Sequence, residues 1–195
     1  MSKKSTVLSA AALLAFLPAV ALAHPGHLGD HIGFLNGFTH PFTGLDHLLA
    51  MLSVGIWSAM AAPRHVFRIP LTFAALLAVG AVLGMSGVAL PAVEPMIAVS
   101  LLLLGLFIAV QVKMPLAAGM AVVGFFALFH GLAHGSELSG GLALLGMTLG
   151  TLIIHFIGIG IGKALMRQHR LALPIARVSG AAISLAGVGF LTGVL

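Results

Sequence analysis

The sequence predicts an all-α fold, a polytopic bundle of membrane-spanning helices. Apolar residue types make up 60% of the 195 residues, and the only formal charges are nine basic and four acidic side chains. A soluble domain carries about a quarter charged residues, so this chain has too little charge to cover a water-facing surface. The same shortage excludes disorder and nucleic-acid binding. Ten histidines are the unusual feature, while the absence of cysteine removes disulfides and thiolate metal sites.

The first 23 residues have the features of a cleaved secretory signal peptide. Lys3 and Lys4 precede an apolar run, and Ala21-Leu22-Ala23 is a small-x-small cleavage site. Cleavage would leave His24 at the N-terminus of a single transmembrane domain, residues 24–195. The alternative is an uncleaved first helix, which would give the chain seven spans instead of six.

A membrane-spanning helix needs about 20 apolar residues. The mature chain contains six apolar windows of about this length, which predict six spans. All seven basic residues of the mature chain fall on alternate connections, and the positive-inside rule makes those connections cytoplasmic. Both mature termini are then expected on the periplasmic side, in agreement with a signal peptide. The predicted spans are about 43–62, 69–90, 94–112, 115–136, 139–161 and 173–194.

Small residues recur at four-residue spacing within these spans. Such faces let helices approach closely in lipid, and packing is the interpretation we favour for most of these glycines. The motifs are Gly80/Gly84, Ala127/Gly131/Gly135 and Gly146/Gly150.

The first of three polar clusters covers residues 40–47, at the start of the first span. Pro41 suits the first turn of a helix, so we expect the span to begin there. Asp46 and His47 then lie one to two turns below the outer surface, where ionisable residues are functional candidates by default. A structural hydrogen bond between this aspartate and histidine is the alternative interpretation.

His40 and His47 share a face of a continuous helix but are far apart. Seven residues at 1.5 Å each separate them by about 10.5 Å along the axis. One simple metal shell cannot include both unless His40 folds back, a bend that Gly37 and Gly44 would permit.

The second cluster, at the end of the fourth span, is the most specific chemical pattern. His130 and His134 are spaced i,i+4 on one helix face, and Glu137 continues the same stripe. Two imidazoles at this spacing can hold one divalent cation, and a carboxylate one turn away can complete or relay the site. The alternative is a polar seam that packs helices together.

The remaining candidates are His155 in the fifth span and two histidines near the mature N-terminus. His155 lies roughly 24 Å below Ser139 at about 1.5 Å per residue, with Thr151 one turn above it on the same face. It is either a deeper step on an ion path or a helix-to-helix hydrogen bond. His24 and His27 are candidate capture ligands, with solvated polar residues as the alternative.

Imidazole combined with carboxylate suits Ni(II), Co(II) and Zn(II), and the lack of cysteine disfavours Cu(I). A metal-ion permease is therefore the leading hypothesis. The alternative is a membrane-embedded His/carboxylate metalloenzyme, a hydrolase that activates water on zinc. We expect that the protein is not an enzyme, since the sequence offers no extra nucleophile and no large outer domain that would admit a substrate. A sensor or assembly partner would need a further soluble domain.

Two long motifs resemble those of the HupE/UreJ family of nickel permeases, and the layout of signal peptide plus six spans resembles the family over the whole chain. The first motif is His40-Pro41, Gly44 and Asp46-His47. The second is Phe129-His130-Gly131, Ala133-His134-Gly135 and Glu137.

The resemblance implies secondary uptake of Ni(II), with Co(II) left open, across the bacterial inner membrane to supply enzymes such as hydrogenase or urease. Nickel is then the substrate, with no permanently bound cofactor, and the oligomeric state is open, a homo-oligomer included. The implied partners are the divalent ion and the lipid bilayer, without nucleic acid. The implied transport residues are His40, Asp46, His47, His130, His134 and Glu137, with His155 held less firmly.

Overall fold

A computed structural model describes residues 33–138, 140–167 and 172–195, which form helices and no strand. The signal peptide, His24 and His27 lie outside the described residues. Six long helices occupy the six predicted windows, and a short helix precedes the first of them. The helices are α1 Phe34–Thr39, α2 Leu45–Ala61, α3 Arg68–Met85, α4 Val93–Ala109, α5 Leu116–Glu137, α6 Gly141–Arg167 and α7 Ala172–Thr192, with 3-10 turns at His40–Phe42 and Pro63–His65.

Four of these helices are long and apolar enough to cross a membrane: α3, α5, α6 and residues Leu173–Thr192 of α7. The pair α1–α2 adds a fifth span if the two pieces cross together. Helix α4 is apolar but has 17 residues, which is about 26 Å at 1.5 Å per residue, against about 30 Å of hydrocarbon. The described residues therefore support four or five spans by length, and the six-span layout stays a prediction.

Glycines at these positions let helix backbones approach closely, as their spacing predicts. A Cβ added to Gly131 of α5 would collide with the Leu77 carbonyl of α3. A Cβ on Gly146 of α6 would likewise meet the Phe34 carbonyl of α1. Helices α3 and α5 thus pack backbone to backbone, and α6 supports both α1 and α2.

The helical structure is interrupted before α2, and the helical segments on the two sides of this break are bent by 80° relative to each other. The expectation that the span begins at Pro41 is wrong, because Pro41 lies in the 3-10 turn and α2 begins at Leu45. The proline starts a helical turn, but Gly44 is extended (φ −90°, ψ 121°) and interrupts the helix.

Candidate metal site

The break before α2 brings His40 back over the first turn of that helix. His40 lies in the 3-10 turn and His47 in α2, and both imidazoles contact the ring of His134, with centroids 4.7 Å and 4.3 Å away. The fold-back that a shared site requires is therefore present.

The two glycines expected to permit the bend have different roles. Gly44 lies at the bend itself, and a Cβ there would come within 3.0 Å of Asp46 Oδ1 and 3.2 Å of His47 Nδ1. Gly37 lies within α1, where its bare backbone packs on the Ala143 carbonyl of α6. One glycine makes room for the polar pair, and the other docks the short helix.

Helix α5 presents the second half of the cluster from its last two turns. His130 and His134 are buried, whereas the Glu137 side chain is 51% exposed. Since the helix continues without interruption to Glu137, its periodicity holds the three residues on one stripe. Burial therefore increases along this stripe from the end of α5 inward.

His40, His134 and Glu137 form a group with the spacing of a metal site. One ligand atom from each lies within 4.8 Å of the others, and His40 Nε2 is 3.0 Å from Glu137 Oε2. Two nitrogens and a carboxylate oxygen converging in this way can coordinate a borderline divalent cation.

Asp46 contacts His47 in the arrangement that orients a metal-binding histidine. The His47 Nδ1–H donates to Asp46 Oδ1 over 3.0 Å, which leaves the Nε2 lone pair of a neutral ring available. That nitrogen is buried and has no hydrogen-bond partner among the residues described. The aspartate oxygen is thus engaged by the imidazole, and Nε2 faces the cluster as an acceptor.

His130 has the same polarity, set by the backbone. Its Nδ1–H donates to the Phe126 carbonyl over 3.0 Å, one turn earlier in α5, so the lone pair of the neutral ring is on Nε2. No described residue gives this Nε2 a hydrogen bond, and the ring lies 5.2 Å from that of His47.

Unpaired buried nitrogens are the chemical signature of this site. The structure leaves both nitrogens of His134 and the Nε2 atoms of His47 and His130 unpaired within its described ranges. Burying a polar group without a hydrogen bond costs roughly 1–3 kcal/mol by mutational measures. A divalent cation that accepts the lone pair of a neutral imidazole would remove that cost at each nitrogen it binds.

His155 lies apart from this cluster, deeper in α6. It is buried, and its ring contacts Phe73 of α3 at 5.0 Å between centroids, while Phe73 also contacts His130 at 5.4 Å. The sequence pattern gave no reason to select Phe73, because an apolar aromatic in an apolar span carries no signal.

The comparisons with known proteins agree with this geometry. The family model described as HupE / UreJ protein matches residues 11–190. Protein HupE of Rhizobium leguminosarum bv. viciae is 43% identical over 198 residues, covering 98% of both chains. No solved structure matches.

Membership of this family makes the chain a multi-pass protein of the inner membrane, related to nickel and cobalt transport and accessory proteins. The bundle of apolar helices and the histidine cluster at one end of it are the structural counterpart of that assignment. The chain belongs to the HupE/UreJ family.

Proposed function

We propose that the protein is a secondary permease that takes up Ni(II), with Co(II) as an open second substrate, across the inner membrane to supply nickel enzymes such as hydrogenase or urease. The metal is the transported substrate and not a resident cofactor. The family membership supports the transport class, and the choice of nickel rests on the motif resemblance.

One observation carries the proposal: four imidazoles and two carboxylates from three chain segments meet at one end of the bundle. His40, His134 and Glu137 have atoms within 4.8 Å of one another, and His47 links them to His130 through ring contacts of 4.3 Å and 5.2 Å. The cluster offers more nitrogen ligands than a single tetrahedral shell needs once waters or the carboxylate contribute. An ion can therefore exchange one ligand at a time.

The residues have different roles in this proposal. His40, His47, His130, His134 and Glu137 bind the metal directly, whereas Asp46 fixes the His47 tautomer through its 3.0 Å hydrogen bond. His24 and His27 capture the ion outside after signal-peptide cleavage, and His155 receives it on the inner side. In this scheme Asp46 supports a ligand instead of acting as one.

The charge distribution supports an outward-facing cluster with both mature termini in the periplasm. Arg64 lies in the turn after α2 and Arg68 begins α3, whereas His47 lies at the opposite end of α2. Basic connections are cytoplasmic, so the cluster faces the periplasm. An inward membrane potential then favours a divalent cation by about 4.6 kcal/mol per 100 mV, twice the value for one charge.

Uptake of radioactive nickel tests the proposal in cells that lack their own nickel transporter. Expression of the full chain should produce nickel accumulation, which His134→Ala should abolish and Asp46→Asn should reduce. His65→Ala is the matched control, since His65 is an exposed histidine in the turn after α2. Competition with unlabelled nickel, cobalt and zinc should give nickel as the strongest competitor.

Two results would contradict the proposal. If cells expressing each of the two variants accumulated nickel at the wild-type level, the cluster would have no role in transport. Zinc-dependent hydrolysis of peptide or lipid by the purified protein, with no movement of metal, would favour the membrane-embedded metalloenzyme instead.

A further inference from the structure

We propose that His155 and Thr151 form a second, inner metal site, and that the ring of Phe73 is the septum between it and the outer cluster. This inference rests on the proposed function, because it places the inner site on the inward route of the transported ion. It adds a gate residue and a hydroxyl ligand that neither the histidine motifs nor the family match assigns.

The first observation is the environment of His155. The residue is fully buried, and neither Nδ1 nor Nε2 has a hydrogen-bond partner in the part of the chain that the structure describes. A histidine that only ties two helices together would donate to, or accept from, a group on the neighbouring helix. The unpaired nitrogens therefore argue against that role and for a ligand that arrives from outside the protein.

Thr151 is the second observation, because its hydroxyl behaves unlike other helical hydroxyls of this chain. Ser53, Ser100 and Thr148 each donate to a carbonyl three or four residues earlier. The Thr151 Oγ1 is buried and makes no such bond to any described residue. It precedes His155 by one turn of α6, so the two side chains share a face.

Together these residues offer an imidazole nitrogen and a hydroxyl oxygen at adjacent positions. Both are ligand types that a borderline divalent ion accepts, and water can supply the remaining positions of the shell. The site has fewer protein ligands than the outer cluster and has no carboxylate, as expected for a position that must release its ion.

Phe73 contacts one histidine of each site. Its side chain is 1% exposed, and its ring makes edge contacts with His130 at 5.4 Å and His155 at 5.0 Å. The close approach of α3 to α5 fixes this placement, since Gly131 packs directly on the Leu77 carbonyl, one turn beyond Phe73.

A phenyl ring can neither donate nor accept an ordinary hydrogen bond, so it interrupts proton transfer between the two imidazoles. A hydrated metal ion also cannot pass it without losing water. Rotation of the ring would join the sites briefly, with His130 on one side and His155 on the other. The septum therefore lets the metal pass by ligand exchange while it keeps protons and water from leaking.

Reconstituted full-length protein tests both parts of the inference. Proton leak is followed with an internal pH-sensitive dye in vesicles held at a potassium diffusion potential, and bound Ni(II) per chain is measured at saturation in detergent. Phe73→Ala should raise the proton leak at least tenfold. Phe107→Ala is the matched control, because that phenylalanine packs on Trp57 at 5.2 Å and contacts no histidine ring among the described residues.

His155→Ala and the similarly sized His155→Gln test the inner site. In each variant, the number of Ni(II) ions bound per chain should fall from two to one, and nickel flux should fall at least tenfold. The proton leak of the vesicles should stay at the wild-type level. The second variant guards against a failure of the alanine protein to fold, which gel filtration would reveal.

The outcomes separate this inference from the proposed function. Phe73→Ala vesicles as proton-tight as those with Phe107→Ala would overturn the septum. Unchanged nickel stoichiometry in both His155 variants would overturn the inner site. Wild-type protein that binds two ions but moves none would contradict the proposed permease function, and the stoichiometry and leak measurements would still decide the inference.

Discussion

Replacing Asp46 with asparagine should weaken nickel binding without abolishing it. The Asp46 carboxylate accepts the Nδ1–H of His47 over 3.0 Å in a pair whose side chains are only 21% and 13% exposed. Asparagine is close in size but can donate its amide N–H to Nδ1. That bond would favour the tautomer with the proton on Nε2, and the lone pair facing the cluster would be lost.

The expected magnitude follows from this geometry. Removing the partner that orients a metal-binding histidine typically costs 10–100-fold in metal affinity, or about 1.4–2.8 kcal/mol at 1.4 kcal/mol per tenfold. His134→Ala removes a ligand whose ring touches those of both His40 and His47. That variant should cost more than 100-fold. The two losses thus distinguish an orienting residue from a ligand.

Isothermal titration of Ni(II) into detergent-solubilised protein measures both dissociation constants. Ser53→Ala is the control on the same helix, since Ser53 is buried and donates only to the Leu49 carbonyl. A dissociation constant within twofold of wild type for Asp46→Asn would refute the orienting role. If Asp46→Asn lost as much nickel binding as His134→Ala does, the orienting role would also be refuted, and Asp46 would be a metal ligand.

Three further predictions concern protonation, packing and topology. Nickel affinity should fall at acid pH, because a protonated imidazole has no lone pair with which to bind a metal; nickel titrations over a series of pH values should show this loss, and an affinity that does not change on acidification would contradict binding by neutral histidines. Gly131→Val should destabilise the bundle by about 1–3 kcal/mol, as overpacked cores do, and lower the detergent melting temperature, whereas Gly160→Val should not, since no atom lies within 4 Å of a Cβ there. In this cysteine-free chain, an impermeant maleimide should label Val88→Cys but not Arg64→Cys in intact cells; the reverse pattern would invert the topology.

The helices were predictable because each needs only a local property of the sequence. Apolar runs define the windows, and the i,i+4 spacing of His130 and His134 already places their side chains on one face. The ends were less predictable. Helix α6 continues to Arg167, beyond the predicted end at residue 161, because a helix that leaves the hydrocarbon continues for as long as its backbone bonds are satisfied.

The site as a whole was less predictable, because its contacts join distant segments. The sequence offered Gly44 as a place where the chain could bend, but only the packing of α1 on α6, through Gly37 and Gly146, determines the direction in which His40 folds. Phe73 lies outside every polar motif. Its position between two imidazoles depends on the register of α3 against α5, which no local pattern encodes.

The order of burial in the cluster gives the proposed route a direction. Glu137 is half-exposed, His40 and His47 are partly buried, and His134 and His130 are buried. The imidazole rings touch in the order His40, His134, His47 and His130, so an ion can gain one nitrogen before it loses another. Conduction requires sites that bind well enough to admit an ion and are numerous enough to release it. A chain of overlapping partial shells meets both requirements, whereas a single closed shell of the same residues would hold the metal.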